Sequence, residues 1–168
     1  ISRKKMDSID VASNTSSIVE RSPVIFDFKQ IEDVTSKYET LHLQNANGAD
    51  LFLFPACIIL VNDANRLQFV DLKELKFEKH MQRFIESSDM VPFDAQVVDH
   101  VWKKANKDGS PDLRYKNNIS QPIVNYASLV FMSDSGLCET YYVSDVDAAQ
   151  DFSIEFTTYL AMLNGEEI

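Results

Sequence analysis

The chain predicts an α+β domain, mainly antiparallel β, closed by one C-terminal helix. Three observations lead there. Residues 121–163 read as a β-hairpin running directly into a capped amphipathic helix. The preceding hundred or so residues form short apolar runs separated by turn residues at near-regular spacing. Helical patterns do not alternate with strands, which argues against a parallel sheet.

Taken in order, residues 1–22 are Ser-rich, polar and charged, broken by Ile9, Val11, Ile18 and Val19, and read as a flexible tail or linker. The folded unit is expected over residues 23–165, as a single domain. Val24 to Phe28 and Tyr38 to Leu43 are the first two candidate strands, with a short helical turn between them over Gln30 to Lys37. Asn45 to Asp50 supplies Asn and Gly for a turn. Leu51 to Val61 is strongly apolar, and Pro55 within it marks a bend or an edge because proline cannot donate to a ladder. Asn62 to Asn65 turns the chain again and Arg66 to Val70 pairs back. A short turn at Asp71 to Leu75 then precedes a strand, since Phe77, Lys79, Met81, Arg83 and Ile85 alternate. Ser87 to Asp94 is a loop, and Gln96 to Lys104 a strand with Val97 and Trp102 partly buried.

Ala105 to Asn118 is the longest polar stretch inside the fold, a length at which a loop is often functional or else a simple solvated excursion. Gln121 to Met132 and Leu137 to Val143 form the final hairpin, turned by Ser133 to Gly136. The helix is expected over 145–163 with Ser144 as N-cap, Asp145 and Asp147 at its positive end, and Gly165 just past its last turn. Val146, Ala149, Phe152, Phe156, Leu160 and Leu163 recur at helical spacing and define its buried face. Tyr141 and Tyr142 point to opposite sides of their strand, which leaves one of them exposed.

The order of these elements resembles the pleckstrin-homology-like fold over residues 23–163. Leu51-Phe52-Leu53-Phe54-Pro55 to Val70, followed by Asp71 to Leu75, is similar to that family's strand pair and the phrase after it. Pro122-Ile123-Val124 to Phe152 is similar to its last hairpin and helix. The resemblance implies a β barrel or roll closed by the helix, and an interaction role. The tryptophan usual in the family's final helix is absent, Trp102 lying elsewhere. The basic inositol-phosphate pattern between the first strands is also missing, with Lys29 and Lys37 standing among acidic residues. Lipid binding is therefore not implied.

Charge narrows the function. Against 16 basic residues stand 26 acidic ones, a formal net charge of −10. Such a surface repels phosphate backbones and anionic membranes, so neither a general nucleic-acid nor a lipid partner is expected. The four glycines are too far apart for a phosphate-cradling loop or a nucleophile elbow. The histidines His42, His80 and His100 show no ligand spacing with Cys57 and Cys138, so no metal or cofactor is expected. Both cysteines sit in apolar runs and read as buried thiols of a reducing, cytoplasmic setting. Asp99 and His100 are strand neighbours on opposite faces, not a dyad. Asn106 to Asp112 carries oxygen ligands at alternate positions, but Pro111 stands where a calcium loop needs glycine.

What remains is a non-enzymatic protein-interaction or scaffolding module whose partner is another protein or another domain of the same polypeptide. Its candidate contact residues are Trp102, Lys104, Lys107, Arg114, Tyr115 and Lys116, because exposed aromatic and Arg side chains dominate interface energetics. Two alternatives use the same region. One is a nucleic-acid surface through the basic residues of 103–116. The other is a metal-dependent enzyme of unfamiliar type built on Asp99, Asp108 and Asp112 near His100.

Overall fold

The computed structural model describes residues 22–31, 34–37 and 39–166. All but Ser22 of the expected tail, and Glu32, Asp33 and Tyr38, lie outside them. The fold is α+β, with two antiparallel sheets and one C-terminal helix. It is a roll and not a closed barrel, since the sheets have separate hydrogen-bonding networks.

The first sheet is a five-stranded meander of β1 (Phe26–Lys29), β2 (Thr40–Leu43), β3 (Asp50–Leu53), β4 (Cys57–Val61) and β5 (Leu67–Asp71), in sequence order. Pro55 lies in the tight β3–β4 turn, where the Phe54 N–H bonds the Cys57 carbonyl at 2.9 Å and no donor is required of proline. Asn65 adopts φ 53° in the β4–β5 turn, a left-handed conformation that Asn tolerates. Asp71 caps a single 3-10 turn, Leu72–Glu74, its carboxylate accepting from the Lys73 N–H at 2.9 Å. That turn hands the chain to the second sheet.

The second sheet is organised around the long strand β8 (Ser120–Met132). β6 (Lys76–Ile85) pairs along one side of it. The other side is shared end to end by β7 (Gln96–Trp102), opposite residues 120–125, and β9 (Cys138–Val143), opposite residues 127–132. A bulge between Val97 and Asp99 breaks the β7 register, and Val97 is exposed rather than partly buried.

Alternation along these strands sorts the core. Leu43, Leu51, Ile58, Leu60 and Val70 of the first sheet face Ala127, Leu129, Phe131 and Tyr141 of the second, in one cluster that also takes in the helix. α1 (Val146–Asn164) closes the roll, with Ala149, Phe156 and Leu160 buried and Val146, Phe152 and Leu163 packed beside them. Phe156 meets Phe77, Phe131 and Phe152 at ring-centroid distances of 5.0, 6.0 and 5.3 Å. Gly165 ends the helix at φ 73°, as expected of a left-handed cap.

Several expectations are corrected. The N-cap is Asp145, not Ser144; its carboxylate reaches the Ala148 N–H at 2.9 Å, one residue further on than Ser144 could serve. Over Gln30 to Lys37 the described residues show one turn bond, the Val34 N–H on the Ile31 carbonyl at 3.1 Å, and no helix beyond it. Ile31 is buried against Phe52 and Ile59, covering the outer face of the first sheet. Tyr141 and Tyr142 are both buried, because the outer face of the second sheet is also covered: Phe84, Val124, Tyr126 and Tyr142 pack together with Val91 and Ala95 of the β6–β7 loop. Cys57 is half-buried and Cys138 exposed; Cys138 opens β9 beside the hairpin turn, beyond the reach of either cover.

Candidate functional site

Residues 103–119 connect β7 to β8, and they form a built substructure rather than a slack loop. Its two ends are clamped by the Lys103 N–H to Ile119 carbonyl bond at 2.9 Å and by a reciprocal pair: Lys104 N–H to Asn118 Oδ1 at 3.0 Å, and Asn118 Nδ2 to the Lys104 carbonyl at 2.6 Å. Ala105 and Pro111 form an isolated antiparallel bridge. Between them Asn106 to Gly109 makes a tight turn, closed by the Gly109 N–H on the Asn106 carbonyl, with Gly109 at φ 83°. Asp108 accepts from both the hydroxyl and the N–H of Ser110, at 2.7 and 3.1 Å, which holds its carboxyl below the usual range.

Asp112 is the keystone. It is buried, its N–H donates to the Lys104 carbonyl at 3.0 Å, and its own carbonyl accepts from the Tyr115 N–H at 3.2 Å. Its carboxylate receives the Arg114 guanidinium on both oxygens, with Nη2 to Oδ2 at 2.5 Å and Nε to Oδ1 at 2.9 Å, and the Arg114 N–H at 3.0 Å. Those bonds hold the Asp112 carboxyl below the carboxylate range and raise Arg114 above its ordinary value.

Around this keystone the side chains converge. Lys103, Lys104, Arg114, Tyr115, Lys116, Asn117, Asn118 and Ile119 line one concavity of about 430 Å³. The Lys104 ammonium sits 5.7 Å from the centroid of the half-exposed Tyr115 ring, within cation–π range. The 17-residue segment carries five cationic and two acidic side chains, in a chain of net charge −10. Of the residues singled out from sequence, Lys104, Arg114, Tyr115 and Lys116 share this concavity. Lys107 stands apart in the Asn106–Gly109 turn, and Trp102 is the half-buried last residue of β7.

The carboxylates of the enzymatic alternative are already engaged. Asp99 accepts from the His100 N–H at 2.7 Å, Asp108 serves its own turn, and Asp112 holds Arg114. Among the described residues no group of three or more His, Cys, Asp or Glu side chains is placed to hold a metal ion. No described helix is long and apolar enough to cross a membrane.

Two features escaped the sequence reading. His42 is buried on the outer face of the first sheet, its Nδ1 2.6 Å from Asp27 and its Nε2 3.0 Å from Asp50, with its ring 4.7 Å from Phe52. Cross-strand register makes this cluster, because Asp27, His42 and Phe52 lie opposite one another on β1, β2 and β3. No local signal shows it. The second is an apolar pocket of about 180 Å³ between the sheets near the start of α1, lined by Phe26, Leu41, Leu43, Leu129, Val143 and Phe152 among others. It draws on both sheets and the helix, so no single stretch of sequence betrays it.

Comparison with protein-family models, with curated proteins and with solved structures found no match to this chain.

Proposed function

We propose that this chain is a non-enzymatic interaction module that holds another protein, or another domain of the same polypeptide, through the loop of residues 103–119. One observation carries the reading. A backbone-clamped loop gathers Lys103, Lys104, Arg114, Lys116 and Tyr115 around one concavity of an otherwise acidic protein. A clamped loop loses less conformational freedom on binding than a slack one, and aromatic and Arg side chains are the usual anchors of interfaces. The exposed Leu113, Tyr115 and Ile119 supply apolar contact area beside the cations. The two free thiols support a cytoplasmic setting.

The test is affinity capture from native lysate with two baits in parallel, the wild-type domain and the double variant Arg114→Ala with Tyr115→Ala. Partners held by the wild type and lost by the variant are the expected result. An identical set of partners on both baits removes this loop from the reading.

A further inference from the structure

We infer that the occupant of the 103–119 loop is an acidic linear peptide, one that presents several carboxylates beside an apolar side chain. The inference rests on the reading of this loop as the docking face and names its partner.

Charge complementarity sets the class. Among the described residues no carboxylate lies in salt-bridge range of Lys103, Lys104, Lys107 or Lys116. Arg114 differs, because Asp112 occupies its fork from both carboxylate oxygens. A single phosphate is best gripped by a free guanidinium fork. Here the available cations are ammonium groups on flexible stems, spread along the loop. They suit charges distributed along a segment better than one concentrated dianion. The same loop carries three exposed apolar side chains: Ile119 at 57 % and Tyr115 at 50 % relative exposure line the concavity, and Leu113 at 87 % precedes Arg114 in sequence. An occupant with only charges would leave these wet; one with an apolar residue among its carboxylates would cover them.

The alternatives fit less well. A nucleic acid gains from several stacking aromatics, and the concavity offers Tyr115 alone, with Lys104 over its ring. A long polyanion would also extend beyond the loop onto an acidic surface. A short peptide would not.

The experiment is fluorescence anisotropy with the whole chain and four labelled probes. These are a Glu/Asp peptide with a central Leu, the same peptide with Gln/Asn for its acids, a phosphoserine peptide with no other acid, and a single-stranded oligonucleotide. The expected result is salt-sensitive binding of the first probe, weakened about tenfold or more, roughly 1.4 kcal/mol, by Lys104→Glu with Lys116→Glu. Leu113→Ala removes an exposed side chain without touching the clamp, and is expected to weaken binding several-fold with unchanged melting. Equal binding of the amide peptide, or tighter binding of the phosphopeptide or oligonucleotide, overturns the inference. If acidic peptides fail while lysate capture still depends on Arg114 and Tyr115, the inference falls and the docking reading stands. If both fail, both fall.

Discussion

Phe156→Ala is the sharpest test of how the roll is held shut. Phe156 is 8 % exposed and joins three ring pairs, to Phe77 on β6, Phe131 on β8 and Phe152 one helical turn away. With Phe152, which also meets Phe77 at 6.0 Å, it is one of the contacts through which α1 grips the second sheet. Truncating a buried Phe removes its transfer energy and leaves a cavity, at a cost of about 3–5 kcal/mol. Total stabilities of such domains are about 5–15 kcal/mol, so about a fifth or more of the fold's stability is at stake. At about 2–4 °C per kcal/mol for a chain of this size, the melting point should fall by roughly 6–20 °C. Urea denaturation followed by circular dichroism measures the loss. Phe28→Ala is the control: Phe28 is 65 % exposed, and its truncation should cost no more than about 0.5 kcal/mol. A loss below about 1 kcal/mol for Phe156→Ala, or equal losses for the two, would refute the packing argument.

Three further outcomes follow from individual residues. Gly165→Ala forces a Cβ onto a residue at φ 73° and should cost about 1 kcal/mol, read as a melting shift of a few degrees; an unchanged melting point would mean the cap does not matter. Burial raises the Glu139 carboxyl above its ordinary value despite a hydrogen bond from Asn45. The unfolded chain therefore ionises first as pH rises, and stability drops across the interval up to the raised folded value. Glu139→Gln should match the wild type in acid and melt higher at neutral pH, whereas a lower neutral melting point would reverse the sign. The Asp112 carboxyl is lowered by Arg114, so its contribution is present above the ordinary carboxylate range and fades as pH falls through the lowered value. Asp112→Asn should speed amide exchange at Arg114 and Tyr115 while β8 stays protected; unchanged exchange at those amides would demote the keystone.

What could be read in advance was what is local. The helix announced itself through its apolar spacing and Gly165, but Ser144 and Asp145 are both competent caps, and only the geometry of the Ala148 N–H separates them. β6 followed from the alternation of Phe77 to Ile85, and Pro55 from its missing donor. Burial was harder, because it depends on what crosses a face from far away. Tyr142 is covered by the 86–95 loop and Cys138 is left open by the same geometry. His42 needs carboxylates from two other strands, which only register brings together. The candidate site followed the same division. Its length, charge and Tyr115 were visible, whereas the separation of Lys107 from Lys104 and the engagement of Arg114 by Asp112 required the folded loop.

Docking of partners on residues 103–119 can be read directly by site-specific photo-cross-linking. A benzophenone amino acid would replace Leu113 in one sample and Phe69 in another, both being exposed apolar positions, on the loop and on β5 respectively. Irradiation in native lysate should give cross-linked partner bands from position 113 and none from position 69. Bands from position 69 alone, or from both equally, would contradict it.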